Sequence, residues 1–310
     1  MNKIALAIHG GAGTLVKGMM TPELEKRYKE DLNTALQEGY IILAKGGSSI
    51  DAVERSVNCL EDSPLFNAGK GSVFTATGDH EMDASIMDGK SRNAGAISLV
   101  SGIRNPISLA RDVMEKSEHV FLAGEGAIEF AKKLNYVFED KSYFYDSLRY
   151  NQWQELKGTE DFKLDHSHKK DSKFGTVGAV ACDLDGNVAA ATSTGGMTNK
   201  RFGRIGDSSL IGVGNYANNN TCAVSCTGSG EFFIRAVVAY DVSCLMEYKG
   251  LSLKEAADIV INKRLLDLGG DGGLIAVDKQ GNITMPFNTE GMYRASKVSD
   301  EKELIAIYGT

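Results

Sequence analysis

At Gly175-Thr176 a charged stretch almost free of apolar residues, roughly 154–175, gives way to a run of small and β-branched residues. If the peptide bond between the two breaks, Thr176 becomes a chain terminus carrying a hydroxyl and an α-amine on adjacent carbons, a nucleophile and a base in one residue. An α-amine titrates near about 7.7, well below lysine, so at neutral pH a sizeable fraction accepts the hydroxyl proton directly or through water. No histidine is then required. None of His9, His80, His119, His166 and His168 is set beside a serine or cysteine motif that would build a competing triad. A Gly-Thr pair taken alone also fits a linker that merely ends at a strand.

The run TVGAVACDLDGNVAAATSTGG that starts at Thr176 reads as a hairpin around Leu184-Asp185-Gly186-Asn187. A three-residue turn centred on Asp185 sets Thr194 across from Thr176, close enough for a second hydroxyl to orient the nucleophile's proton. A two-residue Asp-Gly turn would shift the pairing by one, and Thr192, Ser193 and Thr194 also suit an ordinary strand. Farther on, TCAVSCTGSGE reads as a strand ending in a glycine-rich turn that opens a helix near Glu231. Such a turn aims unpaired N–H groups at one point with a helix dipole behind them, making the Thr227 hydroxyl and Gly228 N–H candidate donors for an oxyanion. A simple N-cap at Thr227 or Ser229 is the plainer alternative. In the glycine-rich segment GGMTNKRFGRIGDSS, Arg204 and Asp207 carry the charges opposite to those of an α-amino acid, the guanidinium matching a carboxylate and the carboxylate an ammonium. A surface ion pair would read the same way.

Other clusters carry less. His9-Gly10-Gly11-Ala12-Gly13 follows a strand without the spacing of a nucleotide fingerprint, which points to close backbone packing near a site. Asn67-Ala68-Gly69-Lys70-Gly71-Ser72 lacks the preceding glycine of a phosphate loop. Asp165-His166-Ser167-His168 has no third ligand at useful spacing.

The elements that must position these residues are legible in outline. Thr21 and Pro22 open an amphipathic helix carrying Leu24, Tyr28, Leu32, Ala35 and Leu36. Ser48 with Asp51 resembles a capping box, and Asn105-Pro106 opens a third helix. Strands are predicted at 3–8, 95–100, 221–226 and 273–278, and one long helix from about Glu231 to Tyr248. Strand-rich runs interleaved with helices on both sides of the charged stretch predict two sheets covered by helices, a layered α/β architecture without internal repeats. The 310 residues, 42% hydrophobic and 24% charged, suffice for a sizeable core. A net charge of -7 with no basic stripe disfavours nucleic acid and anionic membrane as partners and favours a small molecule. The first residues are too short an apolar run for a signal peptide or a membrane span. Cys59, Cys182, Cys222, Cys226 and Cys244, odd in number and without metal spacing, fit free thiols in a reducing cytoplasm.

Taken together, these stretches resemble the plant-type asparaginase and isoaspartyl peptidase family of N-terminal-nucleophile hydrolases, in its bacterial branch. The resemblance rests on IHGGAG (8–13), SPLFNAGKGSVFT (63–75), HEMDASIMDG (80–89), GTVGAVACDLDGNVAAATSTGGMTNK (175–200), GRIGDS (203–208), CTGSGE (226–231) and PFNTEGMYRA (286–295). It implies a four-layer αββα sandwich formed by one domain over 1–310, and self-cleavage between Gly175 and Thr176 into an α chain 1–175 and a β chain 176–310. Thr176 then matches the nucleophile, Thr194 its hydroxyl partner, Arg204 and Asp207 the substrate's α-carboxylate and α-amine, Thr227 and Gly228 the oxyanion site, and Gly230 a backbone contact to substrate. Asn67 lies in a segment that assists cleavage. The resemblance further implies a structural sodium ion on backbone carbonyls of Leu60, Glu61, Ser63, Phe66, Ala68 and Lys70, no organic cofactor, and a homodimer of two-chain units. Glycosylasparaginases and threonine aspartases resemble the chain around the nucleophile but typically place aspartate where Gly175 stands. The expected activity is hydrolysis of L-asparagine and β-aspartyl dipeptides. A glycosylasparaginase-like amidase and a non-catalytic amino-acid binding protein that never matures are the alternatives.

Overall fold

The computed structural model describes residues 3–159, 175–299 and 301–309. Most of the charged stretch, including the Asp165-His166-Ser167-His168 cluster, falls outside the described residues. Its first residues are helical rather than linker, because the helix at Ser147–Leu156 continues through them and buries Trp153 and Leu156. Trp153 stacks on Phe74 with ring centroids 5.6 Å apart, an anchor that a polar average over the stretch hides.

The strands are β1 (Ala5–Gly13), β2 (Met82–Asp88), β3 (Ala94–Val100), β4 (Phe121–Ala123), β5 (Val177–Cys182), β6 (Val188–Thr194), β7 (Asn215–Ala217), β8 (Cys222–Gly228), β9 (Gly272–Asp278), β10 (Ile283–Thr284), β11 (Gly291–Val298) and β12 (Leu304–Tyr308). The helices are α1 (Pro22–Ala44), α2 (Ser49–Asp62), α3 (Pro106–Lys116), α4 (Gly124–Lys133), α5 (Ser147–Leu156), α6 (Gly230–Ala236), α7 (Val238–Lys249) and α8 (Leu253–Ile259). One sheet runs in the order β12-β11-β1-β5-β6-β2-β3-β4, and a second in the order β10-β9-β8-β7.

Strand alternation explains how these become layers. On β1, Leu6 and Ile8 point into a core shared with α1, α2 and α3, while Ala5 and Ala7 point into a second core shared with the smaller sheet and α7 and α8. β5 and β6 divide likewise, with Val177, Ala179, Ala189 and Ala191 on the helix side and Val180, Val188 and Ala190 on the sheet side. Both faces of the large sheet are covered, so its central strands are buried throughout. The result is helices, sheet, sheet, helices: the αββα sandwich expected from the sequence.

The N-terminal signals read correctly. Thr21 accepts from Leu24 N at 3.2 Å with Pro22 at the first helical position, and Ser48 accepts from Asp51 N at 3.2 Å. The long helix from Glu231 does not form as one piece. Val237 adopts φ 51 and ψ 48, a left-handed conformation unfavourable for a β-branched residue, and separates α6 from α7. The break is held by the loop ahead of β7, where Val213 O and Gly212 O accept from Ala239 N at 3.0 Å and Tyr240 N at 2.8 Å. Helical periodicity is blind to such tertiary partners. All five cysteines are free thiols. Among the described residues no helix is long and apolar enough to cross a membrane.

Phe66 ties the loop after α2 to this frame. Its ring is fully buried, lies edge-on to Tyr28 and Tyr293, and occupies the space a side chain on Gly10 would need. Phe66→Ala should lower unfolding free energy by roughly 3–5 kcal/mol in a urea titration, and a loss under about 1 kcal/mol would show that the cluster is not a keystone.

Candidate active site

Thr176 sits one residue ahead of β5, buried at 7% exposure. The β5–β6 ladder pairs Val177 with Ser193 and Cys182 with Val188, the register of a turn centred on Asp185, and its continuation sets Thr194 opposite Thr176. The hydroxyl partner differs from the expected one. Thr176 Oγ1 lies 3.1 Å from Ser208 Oγ, whereas Thr194 Oγ1 accepts from Gly196 N at 3.0 Å, holding the turn that leaves β6. At the other end of the residue, His9 Nδ1 donates to the Thr176 carbonyl at 3.0 Å.

Gly175 is wedged between β1 and β8. A Cβ built on it would stand 2.6 Å from Thr227 Oγ1 and 3.0 Å from Gly11 Cα, and one on Gly11 would stand 2.8 Å from Gly175 N. Any side chain at either position collides, and Gly11 also holds φ +113. The lack of space at Gly175 is by itself enough to demand glycine before the threonine. The same wedge brings the Thr227 hydroxyl against the Gly175–Thr176 junction, where Thr227 Oγ1 also accepts from Ala12 N at 3.3 Å. Thr227 belongs to β8, paired with Gly273, and Gly228 ends the strand opposite Gly272 at φ +154. Neither caps a helix. The N-cap is Ser229, whose hydroxyl is bound to Asp271, and α6 behind it has only seven residues, so the dipole expected to assist here is short.

Arg204, Asp207 and Gly230 converge. A Cβ on Gly230 would stand 2.9 Å from Asp207 Oδ1 and 3.0 Å from an Arg204 terminal nitrogen, so only glycine leaves both charged groups reachable there. They are not a surface ion pair. Arg204 is held bidentately by Glu231, Nε at 2.9 Å and Nη2 at 3.0 Å. Burial works against the Glu231 charge, and the Arg204 fork overrides it, keeping that carboxyl below its usual range. Asp207 is buried, and among the described residues its Oδ2 has no hydrogen-bond partner. Burial pushes its carboxyl up to about 7, with Arg204 pulling the other way. A desolvated, incompletely paired carboxylate beside a guanidinium presents the two charges opposite to those of a small zwitterion.

A cleft of about 460 Å³ opens beside this pair, lined by Met197, Asn199, Lys200, Arg201, Phe202, Arg204 and Glu231. Lys200 was not anticipated. Its ammonium is buried, 3.3 Å from Glu81. Nearby Asp83, also buried, accepts from Leu99 N at 2.9 Å through Oδ1; burial raises its pKa, and Lys200 and Arg204 oppose that rise. Ser208, His9 and Ser225 were likewise missed. Ser225 lies two residues before Thr227 on the same strand face, the one local signal that would have found it.

Asn67 is placed structurally. Its Nδ2 donates to Gly196 O at 2.7 Å, Oδ1 accepts from Val73 N at 3.1 Å, and its carbonyl accepts from Gly195 N at 3.0 Å. It therefore clamps the loop leaving β6, next to Thr194. The loop from Leu60 to Lys70 is tightly wound, with Leu60 O, Phe66 O and Ala68 O accepting from Ser63 N at 3.3 Å, Ala68 N at 2.9 Å and Gly71 N at 3.1 Å. A Cβ on Gly69 would lie 2.5 Å from Glu61 O, one on Gly71 2.8 Å from Pro64 O, and Phe66 O also faces Gly71. Oxygen donors without a carboxylate cage suit a hard, weakly charged cation. Among the described residues no group of three or more His, Cys, Asp or Glu could hold a metal.

His9 does approach a serine, Ser225, in space. The pair is no catalytic triad, because the second ring nitrogen meets a backbone carbonyl and Ser225 is fully buried.

The sequence that builds this site is similar to those of known proteins. The asparaginase family profile matches residues 2–307. An isoaspartyl peptidase of Escherichia coli (strain K12) is 51% identical, covering 99% of this chain and 97% of its own. An isoaspartyl peptidase/L-asparaginase of Xenopus laevis is 44% identical over 99% and 96%, and a plant-type L-asparaginase of Pyrococcus furiosus is 40% identical over 97% and 98%. With a whole-chain family match and relatives of this similarity, the chain belongs to the asparaginase family.

Proposed function

We propose that this protein is an autoproteolytically activated amidohydrolase that cleaves β-aspartyl dipeptides and L-asparagine through Thr176. The reading rests on one observation above others: the Thr176 hydroxyl touches Ser208, and the adjacent Asp207 carries the buried carboxylate facing Arg204. The hydrogen-bond partner of the nucleophile and the carboxylate that faces Arg204 are thus neighbouring residues on a single loop.

In maturation, Thr176 Oγ1 attacks the Gly175 carbonyl carbon, the C–N bond breaks, and water opens the resulting ester to leave a Gly175 carboxylate and a free Thr176 amine. Thr227, whose hydroxyl lies against Gly175, would donate to the developing oxyanion. In turnover, the freed amine accepts the hydroxyl proton and Oγ1 attacks the side-chain amide of asparagine or the β-linked peptide bond. Ammonia or an amino acid leaves with that proton, and water hydrolyses the β-aspartyl ester. Arg204 takes the α-carboxylate and Asp207 the α-ammonium of the shared β-aspartyl group. Thr194 supports the nucleophile through the turn it holds with Gly196, Asn67 clamps that turn, and Gly228 N–H and the Gly230 backbone complete the acyl pocket. Carbonyls of Leu60, Glu61, Ser63, Phe66, Ala68 and Lys70 would hold a sodium ion, which supplies no chemistry beyond stiffening the loop that carries Asn67. The same reading pairs two αβ units as a homodimer in the cytoplasm.

Thr176→Ala should run as one uncut band on a denaturing gel after prolonged incubation, while the unaltered chain yields fragments ending at Gly175 and beginning at Thr176. Two bands from the variant, or a permanently intact unaltered chain, would defeat the scheme and leave a binder or an arrested precursor. Asp207 gives a second prediction. Only its ionised form holds an ammonium, and its folded pKa is raised, so protonation sets in as pH falls through about 7. KM for asparagine should rise below that point, by about tenfold per unit at the acid end. Asp207→Asn should raise KM about 10- to 100-fold and abolish this dependence, as loss of one charged hydrogen bond predicts. A KM flat with pH in the unaltered enzyme would remove Asp207 from that role.

A further inference from the structure

His9 is bonded at both ring nitrogens, and neither bond belongs to a strand ladder. Its Nδ1 meets Thr176 O at 3.0 Å and its Nε2 meets Ser225 Oγ at 2.9 Å, with the whole residue buried between the sheets. Ser225 Oγ lies 2.7 Å from Thr192 Oγ1, which accepts from Asn215 Nδ2 at 3.2 Å.

The proton directions follow from the partners. A carbonyl only accepts, so Nδ1 carries the hydrogen; in a neutral ring Nε2 must then accept, so Ser225 donates. With its own proton committed, Ser225 accepts from Thr192, whose longer alternative is Gly214 O at 3.2 Å. Burial keeps the ring neutral, pushing its pKa down to about 3 although the Thr176 carbonyl pulls the other way. The sequence makes room for the arrangement at Gly178: a Cβ there would stand 2.5 Å from His9 Nε2 and overlap Ser225 Oγ.

Thr176 needs such a tie. The β1–β5 pairing ends at His9 with Gly178, and the β5–β6 pairing begins at Val177, so the Thr176 carbonyl lies beyond both ladders. If the chain is cut before Thr176, as the proposed function requires, the nucleophile becomes a terminal residue, and termini fray unless held. From these contacts we infer that His9 is a positioning residue: its Nδ1–H ties down the Thr176 carbonyl, and the Ser225–Thr192–Asn215 chain across the two sheets locks the ring in that tautomer. His9 carries no proton in the reaction. It sets where Oγ1 stands.

The test compares His9→Ala, His9→Asn and Ser225→Ala in the full-length chain, with a β-aspartyl dipeptide as substrate and activity expressed per matured chain. Asparagine places an N–H donor close to where Nδ1 stood. His9→Ala should lower kcat about 10- to 100-fold, the scale of a nucleophile displaced by about an ångström. KM should stay within about twofold, since Arg204 and Asp207 are untouched. His9→Asn should recover most of kcat with an unchanged pH profile, and Ser225→Ala should fall between. Equal impairment of the Asn and Ala variants, an effect on KM alone, or loss of a pH limb in His9→Asn would overturn the inference. Nitrogen-15 NMR of histidine-labelled protein reads the ring without reference to activity. A persistent Nδ1–H tautomer from pH 5 to 9 supports the anchor, and an Nε2–H or titrating ring refutes it. Should the unaltered enzyme neither mature nor hydrolyse the dipeptide, the proposed function fails, and the tautomer still decides the anchor.

Discussion

The structure turns on the contact at which Gly175 passes between Gly11 and Thr227. The backbones of Gly175 and Gly11 and the Thr227 side chain, from three parts of the chain, meet there with no room for a single methyl group. That closeness puts a hydroxyl donor against the junction of Gly175 and Thr176, with the Thr176 side chain already turned toward Ser208. It also requires β1 and β8, from different sheets, to approach one another around β5. The alanines that face the smaller sheet, among them Ala5, Ala7 and Ala190, let the layers come that close. Glycine at the junction and alanine between the sheets are thus one packing requirement expressed at two distances from the site.

Electrostatics follow from the same burial. An uncompensated carboxylate such as Asp207 is costly in a dry interior, and a fold selected only for stability would pair it or replace it. Here its nearest cation, Arg204, is turned toward Glu231 instead. The site therefore holds a carboxylate in want of an ammonium next to a guanidinium with only one of its faces occupied. An amino-acid head group supplies both missing charges at once, which makes its binding a repair of the local imbalance. Asp83 and Lys200 extend this buried charge set behind the cleft, with Glu81 taking the lysine.

Much of this was legible in the chain, and the reason is distance along it. The hairpin register came from a three-residue turn centred on Asp185 and its flanking small-residue runs, and the helix caps at Thr21 and Ser48 from neighbours within three residues. Arg204 and Asp207 were singled out by opposite charge within a glycine-rich segment, a local property, and Gly230 by the family resemblance of CTGSGE. Contacts that join distant segments left no trace. Ser208 lies 32 residues from Thr176, His9 lies 167 residues from it, and Ser225 lies 216 residues from His9. Thr194 shows the same limit from the other side, since its position was right but its hydroxyl serves Gly196 N. The helix break at Val237 belongs here too, being paid for by loop carbonyls that no periodicity encodes.

A nucleophile at a chain end has two opposed requirements. Its amine must be free to exchange a proton, while its hydroxyl must hold position within a fraction of an ångström. Strand pairing cannot satisfy both, because a ladder that reached Thr176 would engage its N–H. The fold instead stops both ladders at Val177 and Gly178 and replaces the missing pairing with side chains that touch only the carbonyl and the hydroxyl. An imidazole held neutral by burial suits the carbonyl, since it donates there without bringing a charge that would lower the basicity of the neighbouring amine. Along the chain from Ser225 to Asn215 each hydroxyl proton has an acceptor, and the Asn215 amide donates to Thr192 Oγ1 and Ser85 O, which fixes the direction of every bond that reaches the ring.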